Sequence, residues 1–71
     1  MKIPDLYMSV RTAANGERVY AAIYKGMPLS ADSANKASAM RALETASRET
    51  GHAIGDAWDG DSGEFVGSDT V

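Results

Sequence analysis

The segment LYMSVRTAANGERVYAAIY, residues 6–24, decides the fold. Two strand-forming runs flank Asn15-Gly16, the strongest short-range hairpin signal, because both residues tolerate the positive φ of a type I′ turn. Counting outward from a two-residue turn predicts the pairs Ala14–Glu17, Thr12–Val19, Arg11–Tyr20, Val10–Ala21, Met8–Ile23 and Tyr7–Tyr24. Side chains alternate across a strand, so this register sorts them into two sets. Leu6, Met8, Val10, Thr12, Val19, Ala21 and Ile23 form an apolar face for a core. Tyr7, Ser9, Arg11, Arg18, Tyr20, Ala22 and Tyr24 form the other, which gathers all three tyrosines with two arginines.

Beyond this hairpin (about 5–25), Gly26-Met27-Pro28-Leu29 ends the strand, since proline cannot donate to a ladder. Ser30 or Asp32 can serve as the N-cap of a helix. From about Ala31 to Thr50 the chain is alanine-rich without Gly or Pro, which predicts that helix. Ala34, Ala37, Met40, Leu43 and Ala46, flanked by Ala39 and Ala42, would be its buried stripe, and Gly51 its left-handed C-cap. Glu44 and Arg48 stand at i, i+4 in the favourable order for an ion pair.

After the helix, Ala53–Trp58 reads as a third strand with Ile54 and Trp58 on one side. Asp59-Gly60-Asp61-Ser62-Gly63 reads as a loop, and Glu64-Phe65-Val66 as a short fourth strand in which Phe65 meets Trp58. Residues 67–71 read as a frayed end. The expected fold is α+β: an antiparallel sheet with one helix packed on one face, in the order ββα followed by one or two short strands. It forms a single domain over residues 1–71.

A 71-residue chain buries only about 60% of its unfolded surface. It has no cysteine for disulfides and a single histidine, His52, so neither a disulfide framework nor an ordinary zinc site can be built. A second copy of the chain or a larger partner is the remaining source of stability. The apolar runs fall far short of the ~20 residues of a membrane span, and Pro4 and Asp5 interrupt any signal-peptide core, so the expectation is a cytoplasmic protein without membrane contact.

Charge divides the chain. Residues 1–51 hold seven basic side chains, Lys2 among them, and five acidic ones; residues 52–71 hold Asp56, Asp59, Asp61, Glu64 and Asp69 with no lysine or arginine. That asymmetry points to an interaction surface.

No nucleophile–base pair, Gly-x-Ser-x-Gly or phosphate loop is present, and His52 directly succeeds the helix-ending glycine, where an imidazole is structurally comfortable, so no enzyme and no cofactor are expected. The oxygen-rich run Asp56–Glu64 fails the EF-hand pattern, because counting from Asp59 puts Gly63 where a ligand and Glu64 where glycine should be, and no metal is expected. Two surfaces remain. Tyr7, Arg11, Tyr20 and Tyr24 on the sheet suit a protein interface, or base stacking with arginines on phosphates, although the acidic balance disfavours nucleic acid. Asp56, Asp59, Asp61 and Glu64 suit a basic groove on a partner, with Trp58 and Phe65 as apolar anchors. The sequence does not rank them.

The hairpin VRTAANGERVYAAIYKG, the helix SADSANKASAMRALETASRETG and the acidic end DAWDGDSGEF together resemble the small acidic single-domain proteins of bacteriophages, including the anti-CRISPR inhibitors. The resemblance is one of size, charge and architecture and transfers no functional residue. It implies a stoichiometric inhibitor in the host cytoplasm that occludes a basic, nucleic-acid-binding surface, such as that of a CRISPR effector. A direct nucleic-acid binder using the Tyr/Arg face, and a structural or assembly subunit, are the alternatives.

Overall fold

The computed structural model describes residues 3–71, so Lys2 of the basic set lies outside the described residues. Strand β1 (Leu6–Thr12) and strand β2 (Arg18–Tyr24) form the expected hairpin, and β3 (Met27–Pro28) adds a short edge. Helix α1 (Lys36–Thr50), β4 (Ala57–Asp59) and β5 (Glu64–Val66) come next, and a 3-10 turn covers Ser68–Thr70. The five strands lie in the order β3-β2-β1-β4-β5. The α+β class with one helix holds, but the sheet is mixed: the chain passes through α1 and returns beside β1 in the same direction, so β1 and β4 are parallel.

The hairpin register differs from the sequence expectation by one residue. The observed pairs are Leu6–Tyr24, Met8–Ala22, Val10–Tyr20, Arg11–Val19 and Thr12–Arg18. Ala13 N donates to Glu17 O (2.7 Å), Gly16 N donates to Ala13 O (2.9 Å), and Gly16 has φ +88°. The loop is therefore the three residues Ala14-Asn15-Gly16, closed by a glycine bulge, and not the two-residue type I′ turn. A one-residue slip moves a whole strand face. Tyr20, Ala22 and Tyr24 consequently join Leu6, Met8 and Val10, and Val19, Ala21 and Ile23 turn away. Positive φ at two consecutive residues, the mark of a type I′ turn, occurs instead at Lys25-Gly26 (φ 50° and 82°) between β2 and β3.

The core joins Leu6, Met8, Val10, Ala22, Ala39, Leu43 and Ala57, with Tyr20, Tyr24, Met40, Ala46, Ile54, Val66 and Val71 packed around it. Ala22 and Ala39 have no side-chain bulk beyond a methyl, which lets α1 lie close on the sheet. The helix starts at Lys36 rather than Ala31 because Ser33 is committed elsewhere. Its N–H and C=O pair with Tyr20 (3.0 and 2.8 Å), and its hydroxyl accepts from Asn35 N. Asn35, not Ser30 or Asp32, is the N-cap, its Oδ1 accepting from Ala37 N at 3.0 Å. The later start leaves Ala34 and Ala37 exposed and places Ala39 and Leu43 at the centre of the stripe. Gly51 ends the helix in the left-handed conformation (φ 75°), its N–H donating to Ser47 O.

The return strand carries a second one-residue shift. Gly55 N donates to Leu6 O and Gly60 N to Val10 O, both at 2.8 Å. Five steps along the return segment are thus matched to four along β1, which is a bulge ahead of β4. The bulge explains why Ile54 and Ala57 both reach the core while Trp58 faces the opposite side from Ile54. Residues 67–71, expected as a frayed end, dock instead: Val71 packs against the core, and Lys36 Nζ donates to the carbonyls of Ser68 and Val71.

Candidate functional site

A single helix covers one face of the sheet and leaves the other open. By register, the open face carries Tyr7, Ser9 and Arg11 of β1, Val19, Ala21 and Ile23 of β2, Trp58 of β4 and Phe65 of β5. Its aromatic half is built from three strands. Trp58 stands opposite Ser9 on one side and Phe65 on the other. Phe65 meets Trp58 edge-on (centroids 5.1 Å apart) and meets Tyr7 edge-on across β4 (5.4 Å). Such edge pairs contribute about 0.5–1.5 kcal/mol each beyond burial. All three rings remain partly exposed.

The anticipated Tyr/Arg constellation is not assembled. Tyr7 and Arg11 lie on the open face, while Tyr20 and Tyr24 turn to the helix side and pack on the core, because the three-residue loop moves β2 by one position. Tyr24 also stacks at a tilt on His52 (5.6 Å), whose Nδ1 lies 3.4 Å from Asp5 Oδ2. Arg18 pairs with Thr12 on the helix side. Arg11 reaches across β2 to Asp32, Nη2 to Oδ2 at 2.5 Å, so its charge is already matched. Of the expected tyrosines and arginines, Tyr7 and Arg11 alone share the open face.

The acidic hairpin divides into tethered and free carboxylates. Asp61 accepts from the Thr12 hydroxyl (Oδ2, 2.6 Å) and from Thr12 N (Oδ1, 3.2 Å). Those two bonds, aided by the charges of Arg18 and Arg11, lower its pKa below the ordinary 3.8. Asp59 orders the turn, its Oδ1 accepting from Asp61 N and its carbonyl from Gly63 N. Asp56 and Glu64 are exposed, and no side-chain hydrogen bond or ion pair among the described residues holds either of them. Among the described residues no group of three or more His, Asp or Glu side chains is placed to hold a metal, and no helix is long and apolar enough to cross a membrane.

Trp58, Phe65 and Tyr7 thus form one aromatic cluster on the open face, which joins Tyr7 of one inferred surface to Trp58 and Phe65 of the other, while Asp56 and Glu64 stand at opposite ends of the β4–β5 pair. Val19, Ala21 and Ile23, expected on the core face, stand on the open face instead, and the exposed Ile3 carried no expectation. The usable signal was Gly16 as the third residue of Ala14-Asn15-Gly16, which suits the glycine-bulge loop as well as Asn-Gly suits a type I′ turn. Compared with protein-family models, curated proteins and solved structures, the chain matches none.

Proposed function

We propose that this chain is a non-catalytic protein-binding module. It docks on a basic surface of its partner through the aromatic half of the open sheet face and the acidic hairpin beside it. One observation carries this reading: Tyr7, Phe65 and Trp58 are in edge contact, ring to ring, on the face the helix leaves uncovered. Trp58 and Phe65 also lie inside residues 52–71, which hold five carboxylates and no lysine or arginine. Aromatic side chains supply anchor area at interfaces, and the surrounding carboxylates steer a cationic partner and disfavour anionic ones. A basic protein surface of this kind is commonly one that holds nucleic acid, so occupation by this chain would block it. That is the inhibitor role implied by the resemblance to phage-encoded anti-CRISPR proteins.

The test is recovery of partners on tagged protein from cytosolic extract at low and moderate salt, with and without nuclease, alongside Asp56→Lys. Asp56 is the suitable position because Asp59 and Asp61 hold the turn and β1, so reversing either would disturb the fold. The expected result is a stoichiometric protein partner that survives nuclease and associates several-fold more slowly with Asp56→Lys, roughly the effect of a rim charge. Recovery of nucleic acid alone, with all protein lost after nuclease, would overturn the reading.

A further inference from the structure

We infer that the open sheet face also pairs with a second copy of this chain, face to face about a two-fold axis. By register, Arg11 is the one charged strand residue on that face, and Asp32 already pairs with it. Asp59 and Glu64 face the other way, and Asp61 is tied to Thr12, which also stands on the helix side. The strands thus present a neutral face in a chain of net charge −3. Two copies meeting here set no unpaired strand charges against each other, whereas copies meeting through their acidic hairpins would repel.

The side chains of the face also complement one another across such an axis. Trp58 of β4, Ser9 of β1 and Ala21 of β2 are neighbours in one row across the sheet. The row sets the largest side chain of the face beside its two smallest. A two-fold axis lying between the stacked sheets and running between β4 and β1 carries Trp58 of each copy over Ser9 of the other. Stacked sheets stand about 10 Å apart, and a large side chain from one fills that space where the other is small. Tyr7, Val19 and Ile23 flank the row and add apolar surface. The area is modest, because β3, β4 and β5 have only two or three residues each. An interface below about 1,200 Å2 in total gives a weak, reversible dimer. Trp58 cannot serve the dimer and a partner protein at once, so the two associations compete.

The test is sedimentation equilibrium of the purified full chain from about 10 µM to about 1 mM, with the emission of Trp58, the chain's one tryptophan, followed over the same range. The mean mass is expected to rise from 7.5 kDa toward twice that value, and the emission to move to shorter wavelength as the ring leaves water. Ser9→Lys, at a half-buried position of the open face, sets like charges near the axis and is expected to weaken dimerisation about tenfold or more. Leu29→Lys, in the groove on the helix side, is expected to leave the mass curve unchanged. A chain that stays monomeric throughout overturns the proposal, as does a dimer that Leu29→Lys disrupts and Ser9→Lys does not. A rise in mass with no change in Trp58 emission also overturns it, and that readout requires no variant to fold. Recovery of a partner by a chain that never dimerises overturns this inference and spares the protein-binding reading, while a dimer that recovers no partner does the reverse.

Discussion

The Asp61 carboxylate binds Thr12 at both of its donors, the hydroxyl at 2.6 Å and the backbone N–H at 3.2 Å, and so ties the β4–β5 turn to the end of β1. The two residues are 49 positions apart in sequence. This carboxylate joins the hairpin to the acidic segment at the loop end of the sheet, where Gly60 already makes a backbone bond to Val10.

That relationship makes stability pH-dependent in a stated direction. The Thr12 hydroxyl bond, then its N–H bond, hold the folded pKa of Asp61 below 3.8. A depressed carboxylate pKa contributes stability that is fully present above the unfolded value and is lost as pH falls through the folded one. Urea midpoints of the parent and Asp61→Asn should therefore differ at pH 6 in favour of the parent and converge as pH falls below 3.8. A difference that is unchanged at low pH would place the effect of Asp61 outside its charge.

Lys25 occupies the first position of the Lys25-Gly26 turn at φ 50°, a conformation that lysine adopts at a cost and asparagine favours. Its Nζ lies 5.4 Å from the Tyr24 ring centroid, an exposed contact of small value. Lys25→Asn is expected to raise stability by about 0.5–1 kcal/mol, read from the urea midpoint at constant m-value. A loss of stability would mean that the contact with Tyr24 outweighs the backbone.

Gly55 marks where the return segment closes on the chain's start. A Cβ there would stand 2.5 Å from Pro4 Cβ and 2.7 Å from Pro4 Cγ, and the proline ring has little freedom to yield. Gly55→Ala should cost about 1–3 kcal/mol, as overpacking does. Gly60→Ala meets Val10 O at 3.3 Å and Arg11 Cβ at 3.4 Å, so its cost should be smaller. Equal thermal midpoints for the two variants would refute the ranking.

The parts of the fold legible in the sequence are those marked by local chemistry. The hairpin at Asn15-Gly16, the helix end at Gly51 and the Trp58–Phe65 pair each depend on neighbours or on residue type. Two of the parts that are not legible are one-residue insertions, the Gly16 bulge and the bulge after Gly55. Alternation in β2 offers no guide, since Val19, Ala21 and Ile23 are as apolar as Tyr20, Ala22 and Tyr24. What decides is bulk against the helix: α1 packs close over Ala22, and Tyr20 and Tyr24 fit at its flanks. The candidate site inherits this, which is why alternation along β1 locates Tyr7 on the face opposite Leu6 but misplaces Tyr20 and Tyr24.

The two registers of β2 make opposite demands on adjacent residues. In the structure Ala22 is fully buried beneath the helix, and Ile23 is half-buried on the open face beside Pro28. Ala22→Leu should force bulk into a closed contact and cost about 1–3 kcal/mol or more. Ile23→Thr keeps a β-branched strand former, sheds apolar surface only where the sheet is open, and should cost less, about 1 kcal/mol. The two-residue-turn register inverts this order, because Ile23 would then be core and Ala22 would have space above it. Urea midpoints of both variants, read at equal m-values, decide between the registers. They thereby also decide whether the face that presents Tyr7, Trp58 and Phe65 is free of Tyr20 and Tyr24.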